Sequence, residues 1–154
     1  MLVTILISTA SAYTPTYNGK YIVTDHGSKI NLVNNAKAHN PTYNELITFL
    51  KKDKTDQKKY VNKVFSCGDF AQAVHNNAEN AGIKAGVVRL DYKDISTKHL
   101  DNVFLTSDKG IVYTSCIDYD KIGKFQIGKK RVYTSLAGKS YTATGTIKTV
   151  TRYW

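Results

Sequence analysis

Residues 65–81 read Phe-Ser-Cys-Gly-Asp-Phe-Ala-Gln-Ala-Val-His-Asn-Asn-Ala-Glu-Asn-Ala and carry the clearest structural signal in the chain. Ser66 is a good helix N-cap, and Asp69 follows at the spacing of a capping box. Apolar side chains recur at helical spacing up to Gly82, which predicts a helix with one narrow apolar face. Cys67 then lies in the first turn, where the helix dipole favours a thiolate. A thiolate is what a nucleophilic cysteine needs.

The composition indicates one domain. The chain has 154 residues, of which 42% are hydrophobic and 22% are charged. The hydrophobic fraction is large enough for a core, and this composition is not that of a disordered chain. Many tyrosines and threonines favour strands. The formal charge is +10, and a lysine-rich run occupies residues 51–63. We interpret this run as a solvated surface. No nucleic-acid partner is expected because no reader motif accompanies the charge, although it suits an anionic cell-envelope polymer.

The first residues suggest export. Residues 1–12 are mostly apolar and end in Ala-Ser-Ala, which matches the cleavage pattern of a secretory signal. Because the run is short and lacks a preceding basic residue, it is either a shortened signal or a first strand. We expect a secreted or cell-envelope protein, with a cytoplasmic location as the alternative. The run is too short to span a bilayer as a helix. Residues 13–154 are expected to form a single domain.

The predicted elements place helices before strands. Thr42 and Glu45 form a capping box, which predicts a helix running to about Lys52. Residues 54–64 connect it to the helix that bears Cys67. Residues 107–110 are typical of a hairpin turn. Strands are predicted at residues 21–24, 30–33, 83–92, 98–105, 111–117, 125–127, 131–136 and 141–154. This order indicates an α+β fold with an antiparallel sheet.

A nucleophilic cysteine needs a base and a group that orients the base. His99 begins a predicted strand, whereas His26 lies in a predicted turn and His75 falls off the apolar face of its helix. We expect His26 to be solvated and His75 to be exposed or capping. The two cysteines and four histidines show no metal-ligand spacing, so neither a metal nor a cofactor is expected.

These residues resemble the transglutaminase-like superfamily, a papain-like thiol fold with a Cys-His-Asp triad, and in particular its small bacterial and archaeal members. The resemblance is best over residues 34–117 and implies a core in which N-terminal helices, including the cysteine-bearing one, pack on an antiparallel sheet. The segments that carry it are Asn40-Pro-Thr-Tyr-Asn-Glu-Leu, Asp53-Lys-Thr-Asp, Cys67-Gly-Asp-Phe-Ala, His75-Asn-Asn-Ala-Glu-Asn-Ala-Gly-Ile, His99-Leu-Asp-Asn-Val-Phe and Asp108-Lys-Gly-Ile-Val-Tyr.

The resemblance implies a role for each site residue. Cys67 is the nucleophile, and His99 is the general base. The triad Asp of the family sits near the end of the return strand, where this chain has Ser115. A serine hydroxyl can orient an imidazole but carries no charge. Asp118 could replace the acid if the strand bulges or ends early. Asp101, on the same strand face as His99, adds negative charge without a conventional triad contact.

Strand alternation also bears on the second cysteine. If Ser115 faces the site, Cys116 faces the core, which makes a disulfide with Cys67 awkward. We therefore expect two free thiols, although export would favour pairing them. The backbone N–H of Cys67 is one oxyanion donor, and Gln57 and Tyr60 are candidates for a second.

Three functions compete. The first is thiol-dependent acyl transfer on peptide amides through a Cys67 thioester, with water as acceptor in a peptidase or amidase and an amine in a transglutaminase. The second is a catalytically impaired binding or scaffold module that engages an acidic envelope component, a hypothesis supported by Ser115. The third is nucleic-acid binding, which rests on charge alone and is ranked last.

Overall fold

The computed structural model describes residues 11–13, 16–17, 20–21, 24, 27–118 and 120–154. Within them the helices are α1 (Tyr43–Lys52) and α2 (Cys67–Asn80), with a short 3₁₀ turn at Thr55–Gln57 between them. The strands are β1 (Ser11–Tyr13), β2 (Thr16–Tyr17), β3 (Lys20–Tyr21), β4 (Leu32–Asn34), β5 (Gly86–Tyr92), β6 (His99–Thr106), β7 (Gly110–Ser115), β8 (Lys121–Lys124), β9 (Lys130–Ser135) and β10 (Ser140–Tyr153).

Strands β5 to β10 form a closed antiparallel barrel in the order β10-β5-β6-β7-β8-β9. The long strand β10 closes it by pairing with β5 on one side and β9 on the other. The predicted α+β class with antiparallel strands is confirmed, whereas closure into a barrel was not predicted. Closure gives the sheet an interior, and side chains that alternate along each strand point either into it or outward.

The two faces of the barrel wall hold different cores. Side chains from separate strands meet inside the barrel, among them Val88, Leu90 and Val103. In the register of β5 and β6, Leu90 lies opposite His99 and Val88 lies opposite Asp101. Directly opposed residues share a face of the sheet, so His99 and Asp101 point into the barrel.

The helices pack on the outside of the barrel. One apolar cluster joins both helices to the outer faces of β6 and β7, and its members include Leu50, Val74, Phe104 and Cys116. The predicted capping box of α1 is present, since the Thr42 N–H donates to Glu45 Oε2 at 2.7 Å and the Glu45 N–H to Thr42 Oγ1 at 3.2 Å.

Strand β4 runs along the polar side of α2 and is held by that helix's side chains. The backbone N–H of Asn31 donates to Gln72 Oε1 at 2.5 Å, and the N–H of Val33 donates to Asn76 Oδ1 at 2.9 Å. Glu79 continues this row further along the helix and accepts from the Asn35 N–H. We call this row the helix–strand ladder. It covers a helix face that periodicity alone predicts to be solvated.

Some predicted elements were wrong in place. Residues 125–127 are not a strand, because β8 ends at Lys124. The Phe125 ring instead stacks on Tyr113, with ring centroids 4.6 Å apart. Gly123 permits this packing, since a Cβ there would lie 2.7 Å from the Phe125 ring. The predicted connection at residues 54–64 contains the 3₁₀ turn.

The N-terminal predictions are only partly covered. Residues 11–13 form β1, which pairs with β4, whereas residues 1–10 and His26 lie outside the described residues. Of the predicted strands at 21–24 and 30–33, the structure gives β3 at Lys20–Tyr21 and β4 at Leu32–Asn34. In the part of the chain that the structure describes, no helix is long and apolar enough to cross a membrane.

Candidate active site

Helix α2 presents Cys67 at its first residue, as predicted. The N-cap Ser66 forms a capping box with Asp69, and its N–H donates to Asp69 Oδ2 at 2.9 Å. The next residue, Gly68, allows close packing, since a Cβ there would lie 3.0 Å from the Thr24 methyl group. Cys67 itself is half-buried. The sulfur therefore sits at the positive end of a helix whose first turn is fixed by packing.

His99 opens β6 and contacts the acid two residues further along the strand. Its Nε2 lies 3.1 Å from Asp101 Oδ1, and the two side chains are 17% and 1% exposed. The other carboxyl oxygen, Oδ2, accepts a hydrogen bond of 2.5 Å from the Tyr133 hydroxyl. That hydroxyl accepts a bond of 3.0 Å from Arg131 Nη1. We call these four residues the barrel network.

Asp101 governs the charge of the imidazole. Burial lowers the pKa of His99, but the negative charge of Asp101 and its hydrogen bond outweigh burial, and an interaction with the Cys67 side chain adds to them. Together these effects raise the pKa of His99 to about 9. At neutral pH the ring is therefore an imidazolium.

The structure places Asp101, rather than Ser115, against His99. Ser115 is buried at the end of β7, and within the described residues its side chain makes no hydrogen bond to His99. Asp118 is exposed, has φ of 69° in the turn after β7, and forms no ion pair with His99 in the described part of the chain. The sequence signal for the contact of His99 with Asp101 was their His-x-Asp spacing, which puts both side chains on one face of a strand.

The two predicted oxyanion donors differ in location. The Tyr60 ring stacks on Phe70 at a centroid distance of 6.4 Å, which puts it beside the first turn of α2. Gln57 is exposed and lines a cavity with Asp53 and Asp120, a cavity that neither Cys67 nor His99 lines. Of the two, Tyr60 is the one that packs on α2, the helix that begins at Cys67.

Sequence reasoning missed three residues near the site. Arg131 and Tyr133 come from β9, and Tyr92 ends β5. The Arg131 guanidinium lies 5.3 Å from the Tyr92 ring centroid. The Tyr92 hydroxyl is buried and has no hydrogen-bond partner. Burial chiefly raises the pKa of Tyr92, opposed by the charge of Arg131 and reinforced by Asp101 and Cys67. The hydroxyl therefore remains a donor.

Both cysteines are free, as expected. Cys116 is buried in the outer core between the helices and the barrel, and burial, reinforced by Asp120, raises the pKa of its thiol well above the ordinary value. The prediction that Cys116 faces the core is confirmed. Within the described residues, no group of three or more His, Cys, Asp or Glu side chains is arranged to hold a metal ion.

The prediction for His75 was wrong. The residue is fully buried, its Nδ1 lies 2.9 Å from Asn76 Oδ1, and burial lowers the pKa of its imidazole. The helix–strand ladder encloses it, because β4 lies over that side of α2.

Comparison with family models, curated proteins and solved structures found no match to this chain.

Proposed function

We propose that this chain catalyses thiol-dependent acyl transfer on peptide amides, with Cys67 as nucleophile, His99 as general acid and base, and Asp101 as the residue that orients His99. The observation that carries the proposal is the contact of His99 Nε2 with Asp101 Oδ1 at 3.1 Å, and a side-chain interaction of His99 with Cys67 supports it. A cysteine, a base and an oriented base are the parts that nucleophilic acyl transfer requires. The proposal also agrees with the resemblance to the transglutaminase-like superfamily.

In the proposed acylation step, the Cys67 thiolate attacks the amide carbonyl carbon and forms a C–S bond. The carbonyl oxygen becomes an oxyanion, which the N–H groups at the start of α2 are placed to stabilise. As the tetrahedral intermediate collapses, the C–N bond breaks and His99 gives its proton to the leaving amine. The products are a thioester on Cys67, a free amine and a neutral imidazole.

In the deacylation step, His99 takes a proton from the acceptor as the acceptor attacks the thioester carbon. The C–S bond then breaks, and the departing sulfur is again a thiolate beside an imidazolium. Water as acceptor gives a carboxylic acid, whereas an amine gives a new amide. We place water first because the chain is small, and an envelope peptide is the substrate that suits the expected export.

The competing proposal of an impaired binding module rested on the serine at the family's acid position. Asp101 supplies a buried carboxyl group to the base from another position, at 3.1 Å. The reason for expecting an impaired site is therefore weakened, and we favour the enzyme.

The test is capture of the acyl-enzyme. The full chain is incubated with a panel of peptide amides and esters, and acylation of each cysteine is read by peptide mass spectrometry. We expect a thioester at Cys67 and none at Cys116, and release of the acyl group to water or to added hydroxylamine. Replacement His99→Ala should slow acylation by about 10²–10⁴-fold, the usual range for a general acid or base.

Two variants act as controls for this test. Ser115→Ala should leave the acylation rate within about twofold, because Asp101 rather than Ser115 contacts the base. The contacts that stabilise the transition state are then unchanged, and so is the height of the activation barrier. Cys116→Ser removes the second thiol without touching the site. If Cys67 forms no thioester with any substrate of the panel while the protein remains folded, the enzyme proposal is wrong.

A further inference from the structure

We propose that Arg131 forms an anion-binding subsite beside Cys67, and that it selects peptide substrates that carry a carboxylate close to the amide under attack. This inference rests on the proposed function, since it names the class of substrate for the same site. Its basis is the set of contacts that one guanidinium makes and the donors that those contacts leave unfilled.

The charge of Arg131 is not neutralised directly. Its side chain is partly buried and makes one hydrogen bond, from Nη1 to the Tyr133 hydroxyl at 3.0 Å. Its guanidinium also packs over two rings, 5.3 Å from the Tyr92 centroid and 5.6 Å from the Tyr133 centroid. Among the described residues no carboxylate forms an ion pair with it, and it reaches Asp101 only through Tyr133.

Arg131 therefore has hydrogen-bond donors that lack an acceptor. Its Nε is buried and has no hydrogen-bond partner. Its Nη2 makes no hydrogen bond within the described part of the chain, and it is not among the atoms sealed from solvent. An unpaired buried donor is costly, and more so when it is charged. A carboxylate is the acceptor whose two oxygens match the guanidinium fork.

Contacts connect the unfilled donors to His99. Arg131 donates to the Tyr133 hydroxyl, which donates to Asp101, and Asp101 Oδ1 lies 3.1 Å from His99 Nε2. The Arg131 guanidinium also lies 5.3 Å from the Tyr92 ring centroid. Tyr92 contributes a second unpartnered donor, because its buried hydroxyl has no hydrogen-bond partner. One cation and one hydroxyl, both with donors that lack an acceptor, thus lie next to the residues that hold His99. A carboxylate of the substrate is an acceptor for both.

The first test compares two reagents that differ chiefly in charge. Iodoacetate and iodoacetamide both alkylate a thiolate, which displaces iodide and forms a C–S bond, but iodoacetate carries a carboxylate next to the reacting carbon. The ratio of their rates at Cys67 is measured by peptide mass spectrometry in the full chain. We expect Arg131→Met to lower this ratio about tenfold, as the loss of one charge-assisted hydrogen bond predicts. Arg131→Lys should restore part of it.

The matched control is another arginine. Arg152 donates to the Tyr113 hydroxyl from β10, so Arg152→Met removes the same charge elsewhere. We expect it to leave the ratio unchanged. Slow alkylation of the buried Cys116 shows in each variant that the fold is intact. If Arg131→Met slows both reagents equally, or neither, Arg131 only supports Tyr133 and the subsite proposal is wrong.

A second measurement separates this proposal from the enzyme proposal. Peptide amides with a free carboxylate beside the scissile bond are compared with their carboxamide analogues, and the preference should fall about tenfold in Arg131→Met. If Cys67 prefers iodoacetate but no amide is turned over, the subsite stands and the enzyme proposal fails. If amides are cleaved with no preference for the carboxylate, the enzyme stands and the subsite fails.

Discussion

At the scale of single residues, His99 holds the charge on which the proposed chemistry depends. Its ring is enclosed, which by itself would keep the imidazole neutral. Asp101 reverses this, so that the partly buried ring is charged at neutral pH. The pair thus behaves as one unit whose charge state is set by a contact of 3.1 Å.

The titration of the His99 ring tests this pair directly. We expect the NMR resonances of His99 to titrate near pH 9 in the native protein, because Asp101 raises the pKa of the ring to about 9. Asp101→Asn removes the negative charge while burial remains, so the pKa should fall below the ordinary value of about 6.5.

Ser115→Ala is the control and should leave the His99 titration in place, because Ser115 makes no hydrogen bond to the ring in the described residues. A native His99 that titrates at or below about pH 6.5, the ordinary value, would contradict the charged pair. An unchanged titration in Asp101→Asn would contradict the role given to Asp101.

At the scale of elements, the helix–strand ladder joins the cysteine-bearing helix to its neighbours. Glu79, which is 3% exposed, accepts from the Asn35 N–H through Oε2 and from the Ala85 N–H through Oε1, both at 2.8 Å. One side chain therefore satisfies a backbone donor next to β4 and another next to β5. This fixes where α2 lies against the barrel, and so where Cys67 lies against His99.

Replacement of Glu79 should consequently be costly. Glu79→Ala leaves two backbone N–H groups without acceptors, and we expect a loss of about 1–3 kcal/mol in the free energy of unfolding for each group that water does not reach. The measurement is urea unfolding followed by circular dichroism. Glu45→Ala is the control and should cost less than Glu79→Ala, because the Thr42 N–H that its half-exposed carboxylate binds is exposed and water can replace the lost acceptor. Equal losses in the two variants would contradict the buried role of Glu79.

The elements also show which predictions from sequence succeed. Both capping boxes were predicted because Ser66 with Asp69, and Thr42 with Glu45, are local signals. His75 was misplaced because periodicity describes only the helix itself, and β4, far away in sequence, covers its polar side.

The barrel network was not predicted for a related reason. Arg131 and Tyr133 reach Asp101 only because the strands close into a barrel, and strand patterns do not specify closure. Asp101 was placed on the correct face, but the resemblance implied an acid at the position of Ser115 on the next strand. Local signals predicted that Cys67 begins α2 and that His99 begins β6, whereas the residues that support His99 required the tertiary structure.

At the scale of the whole molecule, the buried His75 and the partly buried His99 bound the pH range of stability. His75 has its pKa lowered by burial, so below about pH 6.5 the unfolded chain takes up a proton that the folded chain does not. Stability therefore falls as the pH falls. His99 has its pKa raised to about 9, so its contribution is complete below about pH 6.5 and is lost as the pH rises through 9.

We expect the urea midpoint of the native protein to fall on both sides of this range. His75→Leu should remove part of the loss between about pH 7 and pH 5, and Asp101→Asn should remove part of the loss between about pH 7 and pH 10. His39→Gln is the control for the acid side, since His39 is 59% exposed. An acid limb that is identical in the native protein and in His75→Leu would contradict this assignment.

The position of Asp101 has a consequence for how this site tolerates change. In the family that the sequence resembles, base and acid come from different strands, so their distance depends on hairpin length and strand pairing. Here both stand on β6, two residues apart, and their spacing is set by the pleat of one strand. Insertions in the turn at residues 107–109, or a circular permutation there, would leave the pair intact. His99 and Asp101 can thus be transferred together as one short segment of β6.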